Sequence, residues 1–104
     1  MTGRPDPRPT CASHGARVAG ATTAQAWTWA TPHPLARIGV LITVAAGSGF
    51  LRLRHQGAEL ATVAYSATAA PVALEHDIYW PEITVEVDPV TATTARVDLH
   101  ARAI

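Results

Sequence analysis

The sequence contains no lysine, a single cysteine and no excess of charge of either sign. Its eight basic residues are all arginine, and eight acidic residues bring the formal net charge to zero. A neutral chain has no long-range field that would attract nucleic acid or an acidic membrane. Because Cys11 is the only cysteine, an internal disulfide is excluded and a reducing compartment is favoured. We therefore expect no nucleic-acid partner and no membrane partner.

Long apolar segments are missing as well. The longest apolar run, from Ile38 to Ala46, is far shorter than the about 20 residues that span a bilayer. Pro5, Pro7 and Pro9 stand where a secretory signal would have its apolar region. These features predict a soluble protein that is made in a cytoplasm.

The first 23 residues consist mainly of small, polar, proline and arginine residues. Alternate prolines favour an extended backbone and remove hydrogen-bond donors. The segment also has too little apolar surface to form a core by itself. The pattern predicts an extended N-terminal arm over residues 1–23 and a folded domain over residues 24–104. If so, deleting residues 2–23 should leave the melting transition nearly unchanged. The arm residues expected to bind a partner are Arg4, Arg8, Arg17 and Val18.

From Ala24 onward, apolar and polar residues alternate with a period of two, which is typical of β-strands with one buried face. Residues 50–65 predict a β-hairpin, because two alternating runs flank the turn residues at 56–58. The apolar members of the alternating runs form the predicted core: Val40, Ile42, Val44, Leu53, Val85, Val87, Val97 and Leu99.

The C-terminal third carries two further alternating runs, over residues 82–88 and 96–103. Opposite charges on Glu82, Glu86, Arg96 and Arg102 suggest that these two runs pair with each other across a turn at residues 89–94. In total, about seven strands at spacings of about 8–12 residues, without helical periodicity, predict an all-β antiparallel sandwich. A jelly-roll arrangement ranks first.

No residue constellation in the sequence indicates catalysis. The five histidines are not spaced as metal ligands within one element. Glu75, His76 and Asp77 are consecutive and cannot converge on a strand, so a polar loop is the better interpretation. Nucleophile-elbow, phosphate-loop and dinucleotide motifs are absent. We expect no enzymatic activity, no metal and no cofactor.

The aromatic residues allow two interpretations. Trp27 and Trp29 share one strand face, and Tyr79 and Trp80 precede Pro81. Core packing is favoured, because tryptophans are the natural large fillers of a core with a single phenylalanine. The alternative is a carbohydrate-binding module that stacks sugar rings on these four residues, as jelly-roll modules often do.

Residues 35–104 resemble small jelly-roll sandwiches, through the segments Leu51-Arg52-Leu53-Arg54 and Trp80-Pro81-Glu82-Ile83-Thr84-Val85. The exclusive use of arginine indicates a GC-rich bacterial source. As a small single-domain protein with an N-terminal arm from such a source, this chain resembles bacteriophage capsid decoration proteins. That resemblance implies a homo-oligomeric virion protein, often a trimer in such proteins, that binds the major capsid protein or another virion protein through its arm.

Overall fold

A computed structural model describes residues 11–32, 35–69 and 71–104, and the only regular secondary structure within them is β-strand. The described part of the chain contains no helix that is long and apolar enough to cross a membrane. Six antiparallel strands follow one another along the chain: β1 (Cys11–Ala21), β2 (Gln25–Ala30), β3 (Ala36–His55), β4 (Ala58–Ser66), β5 (Val72–Ile78) and β6 (Glu82–Ala103).

Two long strands, β3 and β6, pair along nearly their whole length and organise the molecule. The remaining four strands occupy their outer edges, with β5 and β4 along β3 and with β1 and β2 along β6. One set of four neighbours is therefore β1, residues 95–103 of β6, residues 36–44 of β3, and β5. We call this the front sheet. The back sheet comprises β2, residues 82–88 of β6, residues 49–55 of β3, and β4.

The front and back sheets pack face to face because β3 and β6 bend midway. His14 pairs with Leu99, and Trp29 pairs with Ile83, far from Leu99 along β6. Even so, the His14 and Trp29 rings stack with centroids 5.5 Å apart, which only a folded ribbon permits. The predicted antiparallel sandwich is confirmed. With β3 and β6 each serving both layers, eight strand segments have a jelly-roll-like order.

The core lies between the two sheets and contains the inward-facing aliphatic residues of both. Seven of the eight predicted core residues are buried, and Val44 is half-buried and packs against them. Ile38, Leu51, Ile78 and Ile83 are fully buried too. The predicted hairpin over residues 50–65 is also confirmed, since β3 and β4 are joined by Gln56 and Gly57, both with positive φ.

The bend of the ribbon lies where the pairing of β3 with β6 is irregular, between Val44 and Gly49. Gly47 has a φ of 93°, and Pro89, which lacks a backbone donor, pairs with Gly49 within this irregular stretch. Buried Thr93 is satisfied there by the Tyr65 hydroxyl, at 2.8 Å between their oxygens. Residues 47–49 therefore form a bend within one continuous strand.

The prediction of an extended arm over residues 1–23 is wrong for the second half of that segment. Residues 11–21 form β1, which pairs with β6 from Thr93 to Arg102. Val18 is 1% exposed and belongs to the core, so it cannot bind a partner. The composition did not indicate this strand, because alanine and glycine supply little apolar area. The strand forms because the neighbouring strand β6 pairs with its backbone. The predicted arm residues Arg4 and Arg8 lie outside the described residues.

Two predictions about the C-terminal third are corrected as well. Residues 82–103 form one strand, so its two runs lie in different sheets and do not pair with each other. Glu86 instead contacts Arg52 and Arg54, while Arg96 contacts Asp98. The predicted polar loop at residues 75–77 is part of β5. These charged residues lie on the outward faces of their strands rather than in turns.

Replacing Val85 with Ala should lower the free energy of unfolding by about 1–3 kcal/mol, because it leaves a cavity in the core. The matched control is Glu82→Ala in the same strand, since Glu82 is exposed and has no ion pair among the described residues. We expect that control to change stability by less than about 0.5 kcal/mol. Urea titration measures both, and equal losses would contradict the register of β6.

Candidate interaction face

The outward-facing residues of the front sheet form a surface that we call the front face. They come from β1 (Cys11, Ser13, Gly15, Arg17), β6 (Arg96, Asp98, His100, Arg102), β3 (Arg37, Gly39, Leu41, Thr43) and β5 (Ala73, Glu75, Asp77). Many of these side chains are small. The long charged side chains therefore stand above a low floor of glycine, alanine, serine and threonine.

Two ion pairs on the front face involve neighbouring residues. Arg37 donates to both carboxylate oxygens of Asp77, at 2.8 and 3.3 Å. This hydrogen bonding lowers the pKa of the Asp77 carboxyl group and raises that of Arg37. Arg96 donates to both oxygens of Asp98, at 3.1 and 3.2 Å. Both pairs are largely exposed, so each stabilises the fold only slightly.

Arg17 and Arg102 carry charges that the described part of the chain does not neutralise. Arg17 pairs across the strands with Arg96, and like charges in directly opposed positions destabilise a sheet. Neither Arg17 nor Arg102 forms an ion pair with a described residue, and both are exposed. The edge of the front face formed by β1 and β6 is therefore electropositive and suited to acidic groups.

The outer surface of the back sheet differs because both of its arginines are paired with carboxylates. Arg52 contacts Glu59, Glu86 and Asp88, and Arg54 contacts Glu86 as well. The side chains of Arg52 and Glu86 are each only 19% exposed. A hydrogen bond from Thr62, together with nearby arginines, lowers the pKa of Glu59. With two arginines and three carboxylates, this network leaves no arginine charge unpaired.

Shallow depressions follow the front face along β1, β6 and β3. One lies over Gly39 between Ser13, His100 and Glu75. Another, mostly apolar, lies at the bent end, where Ala19, Val44, Ala45 and Ala95 form its floor and two arginines line it. Arg17 and Arg96 are those arginines. Apolar contacts and unneutralised charge thus occur together on this face.

The tryptophans pack in two separate places, Trp27 and Trp29 on β2 and Trp80 between β5 and β6. The rings of Trp27 and Trp29 stack with centroids 5.9 Å apart, and His14 stacks on Trp29. Trp80 stacks on His55 at 4.1 Å. All three tryptophans are half-buried and pack against the core, whereas Tyr79 is 69% exposed. The four residues proposed for sugar stacking therefore do not share one exposed platform.

The histidines are distributed over several places and serve separate contacts. His14 donates to the carbonyl oxygen of Ala30 at 2.8 Å, and His76 lies 2.7 Å from the carbonyl oxygen of Asp77. His100 contacts the Ser13 hydroxyl at 3.1 Å. Within the described ranges, no group of three or more histidine, cysteine or acidic side chains could hold a metal ion.

Of the predicted partner-binding residues, the structure keeps Arg17 on the surface and removes Val18 to the core. Sequence reasoning missed Arg96 and Arg102, which it assigned to pairs with Glu82 and Glu86. It also missed Gly39, for which a glycine inside an alternating strand was the available signal. The chain matches no protein-family model and has no significant match among curated proteins.

Proposed function

We propose that this protein is a non-catalytic structural protein that attaches to a protein lattice as a homo-oligomer. The carrying observation is the contrast between its two outer surfaces. Both arginines on the outer surface of the back sheet are paired with carboxylates, whereas on the front face Arg17, which lines an apolar depression, and Arg102 form no ion pair with a described residue. A surface of this kind suits a partner that offers carboxylates and small aliphatic side chains.

Within that class, the resemblance to capsid decoration proteins favours a virion lattice. The jelly-roll-like sandwich is a compact unit, and β1 connects the N-terminal residues 1–10 directly to the front sheet. Residues 1–10 can therefore bind a shell protein next to the front face, with Arg4 and Arg8 among their contacts. The lattice partner is then the major capsid protein or another virion protein, and the protein is a component of the virion.

Carbohydrate binding has less support. The Trp27 and Trp29 rings stack on each other and on His14, so these contacts already use ring faces that a sugar would need.

Charge reversal on the front face should weaken attachment. We expect Arg17→Glu combined with Arg102→Glu to lower co-sedimentation with phage particles of the source organism by at least about tenfold, since two favourable charge contacts become repulsive. The control Ala64→Glu adds negative charge to the outer surface of the back sheet and should leave attachment unchanged.

Higher salt should also reduce attachment of the unchanged protein, because the contacts are electrostatic and exposed.

Equal attachment of the control and the charge-reversed protein would contradict the assignment to the front face. Retention of the intact protein on a polysaccharide column, without co-sedimentation with particles, would contradict the proposed function and favour sugar binding.

A further inference from the structure

Gly39 differs from the other glycines of the described chain because the fold does not explain it. Gly20, Gly47 and Gly57 have positive φ. A side chain at Gly15 would press on Asp98, and one at Gly49 would overlap neighbouring backbone atoms. Gly39 has no positive φ, lies in regular pairing between β5 and β6, and would have nothing within 4 Å of an added Cβ.

A glycine inside a central strand weakens the sheet, since it orders a flexible residue and packs no side chain. Such a glycine otherwise marks a bulge, a bend or the close approach of another molecule. The register at Gly39 is regular and the bend lies further along β3. The approach of another molecule therefore remains as the physical reason for the open space above Gly39.

The depression over Gly39 has a volume of about 340 Å³ and opposite charges on its two sides. On the β6 side lie Arg102, which forms no ion pair within the described ranges, and His100, which the Ser13 hydroxyl contacts at 3.1 Å. On the β5 side stands Glu75, which also has no ion pair with a described residue. Arg37 lines the depression as well, but Asp77 neutralises it.

His100 and Glu75 both pair with Gly39, from opposite sides, so their Cα atoms lie two strand spacings, about 10 Å, apart. Their side chains can lean over the glycine from both sides. A ligand that bridges them must carry a negative group toward Arg102 and a cationic or donor group toward Glu75. A few methylene groups between these two ends match the remaining distance.

We propose that the depression over Gly39 binds a small amino-carboxylate, with its carboxylate toward Arg102 and His100 and its ammonium group toward Glu75. This site goes beyond the proposed attachment to a lattice. The two share Arg102, but the site also depends on Gly39 and Glu75, whereas Arg17 and the bent end of the sheet belong to the attachment alone.

Three size-matched probes test this assignment by amide chemical-shift titration of the full chain. They are 4-aminobutyrate, butyrate, which lacks the ammonium group, and butylamine, which lacks the carboxylate. We expect saturable shifts at Gly39 and His100 with 4-aminobutyrate, with a dissociation constant on the order of 1–10 mM. Each single-charge probe should bind about two- to fivefold more weakly, the factor typical of one exposed ion pair.

Surface variants identify which group recognises which end of the ligand. Arg102→Gln should remove the advantage of 4-aminobutyrate over butylamine, and Glu75→Gln should remove its advantage over butyrate. Gly39→Leu should abolish binding by filling the depression, while Arg17→Gln on the same face should leave binding unchanged. Absence of a saturable shift at Gly39, equal binding of all three probes, or unchanged selectivity in both charge variants would overturn the proposal.

Discussion

Replacing Gly47 with Ala should lower the free energy of unfolding by about 3 kcal/mol or more. The added methyl group would overlap the carbonyl oxygen of Ala92, and the φ of 93° is unfavourable for any residue with a side chain. Backbone strain and overpacking each cost about 1–3 kcal/mol. Because β6 lies directly behind Gly47, the bend can relieve the overlap only by separating the two central strands. Urea denaturation followed by circular dichroism measures the loss.

Gly39→Ala is the matched control, since it makes the same change in the same strand. Open space above Gly39 accommodates a methyl group, and a strand loses less flexibility on folding with alanine than with glycine. We expect stability to stay within about 1 kcal/mol of the unchanged protein, with an increase the favoured direction. Similar losses for the two variants would contradict the bend of β3 at Gly47.

Deletion of residues 2–23 should abolish cooperative unfolding, in contrast to the expectation from composition alone. The deletion removes β1, takes Val18 from the core and exposes one edge of β6 from Thr93 to Arg102. It also removes His14, which packs on Trp29 and joins the two sheets. We expect the loss of a whole edge strand to outweigh the about 5–15 kcal/mol by which a domain of this size is stable.

The control for this deletion is the shorter deletion of residues 2–10, which leaves β1 intact. Because that segment is proline-rich and poor in large apolar residues, we expect its removal to leave the melting temperature nearly unchanged. Calorimetry of both proteins distinguishes them. A cooperative transition at the original temperature after deletion of residues 2–23 would show that β1 contributes nothing to the sandwich.

The period-two alternation predicted the strand class, the 50–65 hairpin and most of the core, because each depends on neighbouring residues. Ile83, Val85 and Val87, for example, are every second residue of the sequence and are all buried in the structure. The pattern failed where a strand has small residues, as in β1, and where a strand continues through a break. Gly47 and Pro89 are usual markers of turns, yet here they lie within bent strands whose pairing continues.

The front face could not be predicted, because it joins residues from four strands that are distant along the chain. Arg17, Arg37 and Arg102 share one face only through the order of β1, β6 and β3. Pairing the acidic run of residues 82–88 with the later arginines seemed favourable from charge alone. The actual partners of Glu86 come from β3, which leaves Arg102 without a partner among the described residues and creates the electropositive edge.

The copy number of this protein on purified virions tests the proposed attachment most directly. Quantitative mass spectrometry of particles from the source organism gives the ratio of this chain to the major capsid protein. Attachment to a lattice predicts a fixed ratio that saturates when purified protein is added and that falls when Arg17 and Arg102 are both changed to Glu. Absence of the chain from particles would contradict attachment to a lattice. So would a ratio that rises without saturation and is unchanged by these substitutions.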